Sequence, residues 1–520
     1  MKKSILFIAL AAGMLAASCT KTVVTVVRPA DESPVEQKLI IGVSSGKDAL
    51  TTKAGRPLLS QAAGQDIQNI SLYFVPTSEI EGKGTVVLIK NVTPGEWENA
   101  QNHGTQGKQL EITLKKSNGE ELADGTYDVY AVGYSTEHDY TLNQIQKGAS
   151  WDDKNFYATA TGDADEIFAG KAKVYAKTET DAEQNTIKYL ASTENGGTED
   201  TPSIILNRQV AGVTGYFTNI PAKVNDKVPA KLRLVASNKF TKLNFVDLYN
   251  ADPVENHKFV VNGSDASSDS KVPYWDNNKE GYILYEINLS EWFVLEGGKT
   301  FDQLDINGDG YVGYLDAICH VYQKSGDDAK AVTGLDDIDG ANWAEDIVDE
   351  TGAHNKLETF WENPNESHKQ QLVAGSVFAG KFVIPFTSTK GVNTLELQLL
   401  DASDNILTNW NVRVPSDELY NSSTDGSATG TVITLTDDTQ EVYNIYRNHM
   451  YSLGSKGLIN DDTPAGEDPD PSDPDPDPKP EPDPDPDTDP DGDNPQDLTQ
   501  NNLLIHVNDQ WEIIHHMEID

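Results

Sequence analysis

Cysteine is nearly missing from this 520-residue chain: only Cys19 and Cys319 occur. With Cys19 acylated, as argued below, no disulfide can form within the chain, and stability must come from buried cores. Cys319 stands among Ala317, Ile318 and Val321 and reads as a small half-buried residue rather than a reactive thiol. Basic residues are also scarce. Lys and Arg number 40 against 83 Asp and Glu, a formal net charge of −43. That balance argues against nucleic acid and anionic membranes as partners. Long apolar runs are lacking except Ile5 to Ala17, which follows Lys2 and Lys3. That run is too short to span a bilayer and has the layout of a signal peptide. Zinc-type His spacing, a Gly-rich phosphate loop and a nucleophile elbow do not occur, and nothing selects a catalytic pair among the acids. The chain is therefore read as a non-enzyme. His515 and His516 are adjacent, so on a strand they face opposite ways and cannot chelate one metal together.

What is present is mostly short β-strands between polar turns. Segments 38–43, 70–75, 127–132, 210–217, 231–236, 242–246, 282–287, 381–386, 394–399, 410–414 and 431–435 are rich in β-branched and aromatic residues. Short helices are expected near 315–323 and 340–350. The composition predicts an all-β fold of two β-sandwich domains. A polar run at 194–200 sets the expected boundaries at 54–200 and 201–460. The acidic stretches between 250 and 370 read as loops of the second domain.

Three processing or binding signals stand out. Leu15-Ala-Ala-Ser-Cys19 resembles a bacterial lipobox, with Cys19 as the lipidated residue after a signal peptide at 1–18. In the following segment, Lys53 and Arg56 offer sites to a trypsin-like protease. Pro57 hinders cutting after Arg56, so Lys53 is the preferred site. The third signal is Asp305-Ile-Asn307-Gly-Asp309-Gly-Tyr311-Val-Gly-Tyr-Leu-Asp316. Hard oxygens at alternating positions, a Gly at the sharp turn, the Tyr311 carbonyl and a closing Asp316 fit a single calcium loop with a bracing role. The competing reading is an ordinary acidic turn.

The carboxy-terminal region is the least ordinary part. Sixteen acids and one Lys lie between Asp461 and Asp497, about −15, which leaves −28 elsewhere. Alternating Asp and Pro cannot pack, so 461–497 reads as an extended tether. A strand-like tail at 498–520 follows. Leu503, Ile505, Val507, Trp511, Ile513, His515, Met517 and Ile519 share one parity, broken by Asp509. Such a strand has no obvious sheet of its own to join and is expected to complete another molecule.

Tyr443-Asn-Ile-Tyr-Arg447-Asn448-His449-Met-Tyr451-Ser-Leu-Gly454 resembles the ending of fimbrillin domains from Bacteroidales type V pili. The Asp-Pro tether and Trp511-containing end resemble the minor-fimbrium shaft subunit in particular. The resemblance implies transthyretin-like sandwiches, export as an outer-membrane lipoprotein, and protease removal of a pro-segment at 19–53. Loss of the strand Lys38–Val43 would then open a groove for a neighbour's donor strand. Implied partners are other copies in a head-to-tail filament, accessory, tip and anchor subunits, and the processing protease. The membrane is met only through the precursor lipid. The alternatives are a tip adhesin and a surface glycan-binding lipoprotein using Trp275, Trp292, Trp343 and Trp361.

Overall fold

The computed structural model describes residues 37–43, 67–98, 101–102, 108–135, 139–180, 186–246, 248, 260–276, 278–325, 360–361, 373–412, 431–433, 444–454, 496–499 and 505–508. Over these residues the chain is nearly all β.

The first body is one nine-stranded sheet. Its order runs Leu88–Val92, Asn69–Pro76, Gly125–Tyr134, Ile167–Thr180, Ser203–Arg208, Gln37–Val43, Lys108–Leu114 and Gln101–Asn102, with Thr186–Ala191 paired to Ile167–Thr180. The ribbon curls on itself. Side chains from one end (Ile70, Leu72, Phe74) and from the other (Ile112, Leu114) share a single core with Leu39, Ile41, Phe168, Ile204 and Leu206. Alternation produces this: along Gln37–Ile41 the odd positions are buried and Lys38 and Ile40 lie half-exposed. Gly170 permits a close backbone approach, because a Cβ there would stand 2.0 Å from the Ile205 carbonyl oxygen.

The second body is a sandwich of two sheets. One runs Val272–Pro273, Glu280–Asn288, Lys231–Ala236, Leu395–Leu400, Ile406–Val412. The other runs Val377–Val383, Ala211–Thr218, Met450–Leu453, Ile505–Asn508, Thr431–Ile433, with Gln496–Asp497 also paired to Ala211–Thr218. Leu232, Leu234, Leu397 and Trp410 of the first meet Val213, Phe217 and Tyr451 of the second in one core.

Three expectations need correction. Ser203–Arg208 lies beyond residue 200 yet is an interior strand of the first sheet, so that body does not stop at the polar run. The bodies also share structure. Phe240–Asn244 pairs with Tyr157–Ala160, and Tyr73, Tyr130, Phe156, Leu243, Phe245 and Ile384 form a joint core. The region between 250 and 370 is not only loop. Glu280–Asn288 pairs along Lys231–Ala236, and Phe293, Phe301, Leu304, Phe360 and Trp361 are buried in the second core. Acidic flanks concealed those apolar anchors. The helix expected near 315–323 is Tyr314–Ser325; the one at 340–350 lies outside the described residues.

Candidate functional site

Gln37–Val43 occupies a seat between two strands that meet only through it. It runs parallel to Ser203–Arg208, with Ile40 opposite Ser203 and Val43 opposite Leu206. It runs antiparallel to Lys108–Leu114, with Gln37 opposite Leu114 and Gly42 opposite Gln109. Leu39 and Ile41 are fully buried, so their removal would bare an apolar trough as well as two rows of ladder groups. Gln37 is polar but only 2 % exposed. Its side-chain nitrogen donates to the Leu122 carbonyl at 3.0 Å, and its oxygen accepts from the Leu122 N–H at 2.8 Å. Sequence reading did not find this clasp; a Gln at the buried parity of an apolar strand was the available signal. Lys53, Arg56 and Cys19 lie outside the described residues.

The tail does have a sheet of its own, contrary to expectation. Ile505–Asn508 sits between Met450–Leu453 and Thr431–Ile433, antiparallel to both. Gln496–Asp497, expected as the end of the tether, pairs with Phe217 and Thr218. Leu498 is 3 % exposed in the second core. The physical reason is that the last described strands close an edge that Met450–Leu453 would otherwise leave open. Ile505 and Val507 therefore lie in a home ladder, whereas Leu503, Trp511, Ile513, Met517 and Ile519 lie outside the described residues.

The Arg447-Asn448-His449 segment lies where the two bodies meet. Arg208, 2 % exposed, donates from Nε to Glu166 at 2.6 Å and from a terminal nitrogen to Asn448 Oδ1 at 3.4 Å. Arg447 donates to the Val246 carbonyl at 2.7 Å and to Gln209 Oε1 at 3.2 Å. Asn448 adopts φ +57°, a left-handed turn that Asn tolerates, and its N–H donates to the Val210 carbonyl at 2.8 Å. The arrangement fastens the end of Ser203–Arg208 to the second sandwich. Sequence reading singled out the Arg-Asn-His triplet but not its partners Glu166, Arg208 and Gln209.

In the Asp305–Asp316 loop the carboxylates accept main-chain N–H groups. Asp305 accepts from Gly308 at 2.8 Å and Gly310 at 3.0 Å, and Asp309 from Tyr311 at 2.8 Å. Asn307 Nδ2 donates to Asp309 at 2.8 Å. Asp316, 1 % exposed, accepts from Ile306, Asn307 and Gly313 at 2.7, 3.2 and 2.9 Å. Burial pushes its carboxyl up to about 6, against those hydrogen bonds and with Asp309 adding repulsion. The donors are the hard oxygens a calcium ion prefers. Among the described residues, however, no three His, Cys, Asp or Glu side chains converge to hold a metal. Binding would require Asp305, Asp309 and Asp316 to turn toward one point.

Of the Trp residues weighed as sugar platforms, the three described ones do not form a shared surface. Trp292 and Trp361 are buried with ring centroids 6.5 Å apart, Trp275 is 50 % exposed, and Trp343 lies outside the described residues. Cys319 is 5 % exposed on the Tyr314–Ser325 helix.

No protein-family model matches this chain, and no curated protein matches it. Among solved structures it is similar to a fimbrial assembly protein from Parabacteroides distasonis, at 13 % identity and TM-score 0.24, covering 49 % of this chain and 78 % of that one. It is also similar to a fimbrial anchor protein from Porphyromonas gingivalis, at 13 % identity and TM-score 0.23, covering 49 % and 73 %. Superpositions this loose leave the all-β assignment resting on the strand ladders themselves.

Proposed function

We propose that this chain is a structural subunit of a cell-surface fimbrium, a shaft component, that polymerises by protease-triggered donor-strand exchange. The observation that carries the reading is the seat of Gln37–Val43. A seven-residue strand fills an interior position of the first sheet, and Lys53 follows it in the sequence. Cutting after Lys53 separates that strand covalently from the body it completes. Once it leaves, the trough lined by Ile112, Leu114, Ile204 and Leu206 accepts a strand from a second copy, which restores both ladders. The precursor strand thus blocks assembly until export is complete, and Cys19 carries the lipid that delivers the precursor to the outer membrane.

The inward positions described in the seat are held in the precursor by Gln37, Leu39 and Ile41. Two apolar side chains at about 1.5–3 kcal/mol each give a gross gain of roughly 3–6 kcal/mol before ordering costs. The tail row of Trp511, Ile513, Met517 and Ile519 offers apolar side chains for the same trough. A head-to-tail contact of this kind does not close on itself and yields a filament. Anchor and tip subunits would be its partners at the two ends.

The Asp305–Asp316 loop belongs to the same proposal as a structural calcium brace. It follows Phe301 and Leu304 and precedes Ala317, all in the second core.

The direct test is limited digestion of the purified precursor beside a Lys53→Ala variant. Cleaved wild-type protein is expected to form fibres while the variant stays monomeric. Cleaved protein that has lost residues 19–53 and remains monomeric overturns the proposal.

A further inference from the structure

The chain leaves and rejoins one strand line across the Asp-Pro segment. Met450–Leu453 runs parallel to Ala211–Thr218, pairing Gly212 with Met450 through Gly215 with Leu453. Gln496–Asp497 runs parallel to the same strand, pairing Phe217 with Gln496 and Thr218 with Asp497. Val377–Val383 covers the opposite edge from Ala211 to Phe217, so both short strands lie along the one remaining edge. Only Tyr216 stands between the two registers, and a single residue bridges them. Gly454 is in the position to do so, and its φ of +71° is where the chain turns off the strand. Past the return, the Leu498 N–H donates to the Thr218 carbonyl at 3.1 Å, and Leu498 is buried. Ile505–Asn508 then runs back along Met450–Leu453, Leu453 opposite Ile505 and Met450 opposite Asn508, with Thr431–Ile433 on its other side.

We infer that residues 455–495 are an insertion within a single strand, and that 496–499 and 505–508 are the fixed root of the tail. The segment exchanged between copies begins after Asn508. This rests on the donor-strand reading and names which part of the second copy docks. It also removes the Asp-Pro segment from the connection between subunits: the connecting path runs from the second sandwich through Asn508 directly into 509–520. The lengths agree. The seat spans seven residues, about 23 Å at 3.3 Å per residue, and the twelve residues of 509–520 reach about 40 Å. Roughly five residues remain for the crossing. A root paired on both sides is also a better anchor than a solvated tether, because releasing it would unpair two ladders at once.

Two changes test this. The first deletes 455–495 and joins Gly454 to Gln496. The excised precursor is expected to fold with a melting temperature unchanged or raised, since a long loop no longer has to be closed. After Lys53 cleavage it is expected to form fibres with the axial repeat of the unexcised protein. The second places Ser452→Cys and His506→Cys at a cross-strand pair. Oxidation is expected to link them within one chain, in the monomer and in the fibre alike, and the locked protein is expected to polymerise. The inference is overturned if unexcised protein forms fibres but excised, folded protein does not, or does so with a shorter repeat. It is equally overturned if the locked variant is cleaved yet stays monomeric. Failure of the unexcised, unlocked protein to polymerise after cleavage counts instead against donor-strand exchange; the intrachain link in the monomer still decides where the root sits.

Discussion

Gln37 and Leu122 are joined twice, side-chain amide to main-chain N–H and C=O, at 2.8 and 3.0 Å inside the first core. The pair makes the seat selective for its occupant. An apolar side chain at this position leaves two buried main-chain groups unpaired, at a cost of about 1–3 kcal/mol. Gln37→Leu in the precursor is therefore expected to weaken the hold of the Gln37–Val43 strand. The check is the rate at which that strand leaves after Lys53 cleavage, which is expected to rise about tenfold or more.

Under donor-strand exchange, the incoming strand must answer the same requirement. His515 is the one polar residue in the row Trp511, Ile513, His515, Met517, Ile519. With His515 facing Leu122, His515→Gln is expected to support assembly and His515→Leu to weaken it roughly tenfold, the equivalent of ~1.4 kcal/mol. A peptide of residues 509–520 titrated into cleaved subunit measures this. Equal affinity for the Leu and His peptides would remove His515 from the seat.

The junction of the two bodies is tested at Arg208. Arg208→Met removes the guanidinium that pairs with Glu166, a carboxylate only 7 % exposed. The expected loss is about 3–5 kcal/mol, and the double change Arg208→Met with Glu166→Leu should recover most of it. Thermal unfolding of the three variants reads this out. Arg208→Lys should not substitute, since Lys lacks the fork that reaches Glu166 and Asn448 together.

The calcium proposal carries a pH signature through Asp316. Its carboxyl stands at about 6 in the folded chain, against an ordinary value near 3.9 when unfolded. The folded state therefore holds the proton more tightly. The group favours folding below about pH 4, and that contribution is lost as pH rises through 6, about 3 kcal/mol in all. A bound dication would keep Asp316 ionised and cancel the loss. Stabilisation by added calcium is thus expected to grow between pH 4 and 7, with chelation lowering the melting temperature at pH 7. Asp305→Ala with Asp309→Ala should abolish the response. A melting temperature indifferent to chelator at pH 7 would leave the loop as a self-closed turn.

Much of this architecture was legible because alternation fixes faces locally. Lys231–Ala236 shows it: Leu232, Leu234 and Ala236 share the face that packs into the second core, while Arg233 and Val235 of the other parity are buried but not part of that core. What stayed hidden depends on partners far along the chain. Arg447 and Asn448 meet Gln209 and Arg208, each about 240 residues away, and no local pattern announces such pairs. The tail misled for the same reason. Its parity showed a strand, but the home ladder with Met450–Leu453 lies across the Asp-Pro segment, whose composition suggests a free end. The Gln37–Val43 strand was legible as a strand, and its seat was expected only through the fimbrillin resemblance.

The most direct measurement is a high-resolution map of the assembled fibre at the position between Ser203–Arg208 and Lys108–Leu114. Donor-strand exchange predicts density there for residues from the 509–520 segment of the adjacent subunit, with Gln37–Val43 gone. Gln37–Val43 still seated in that position, or 509–520 lying on the parent subunit, would contradict it.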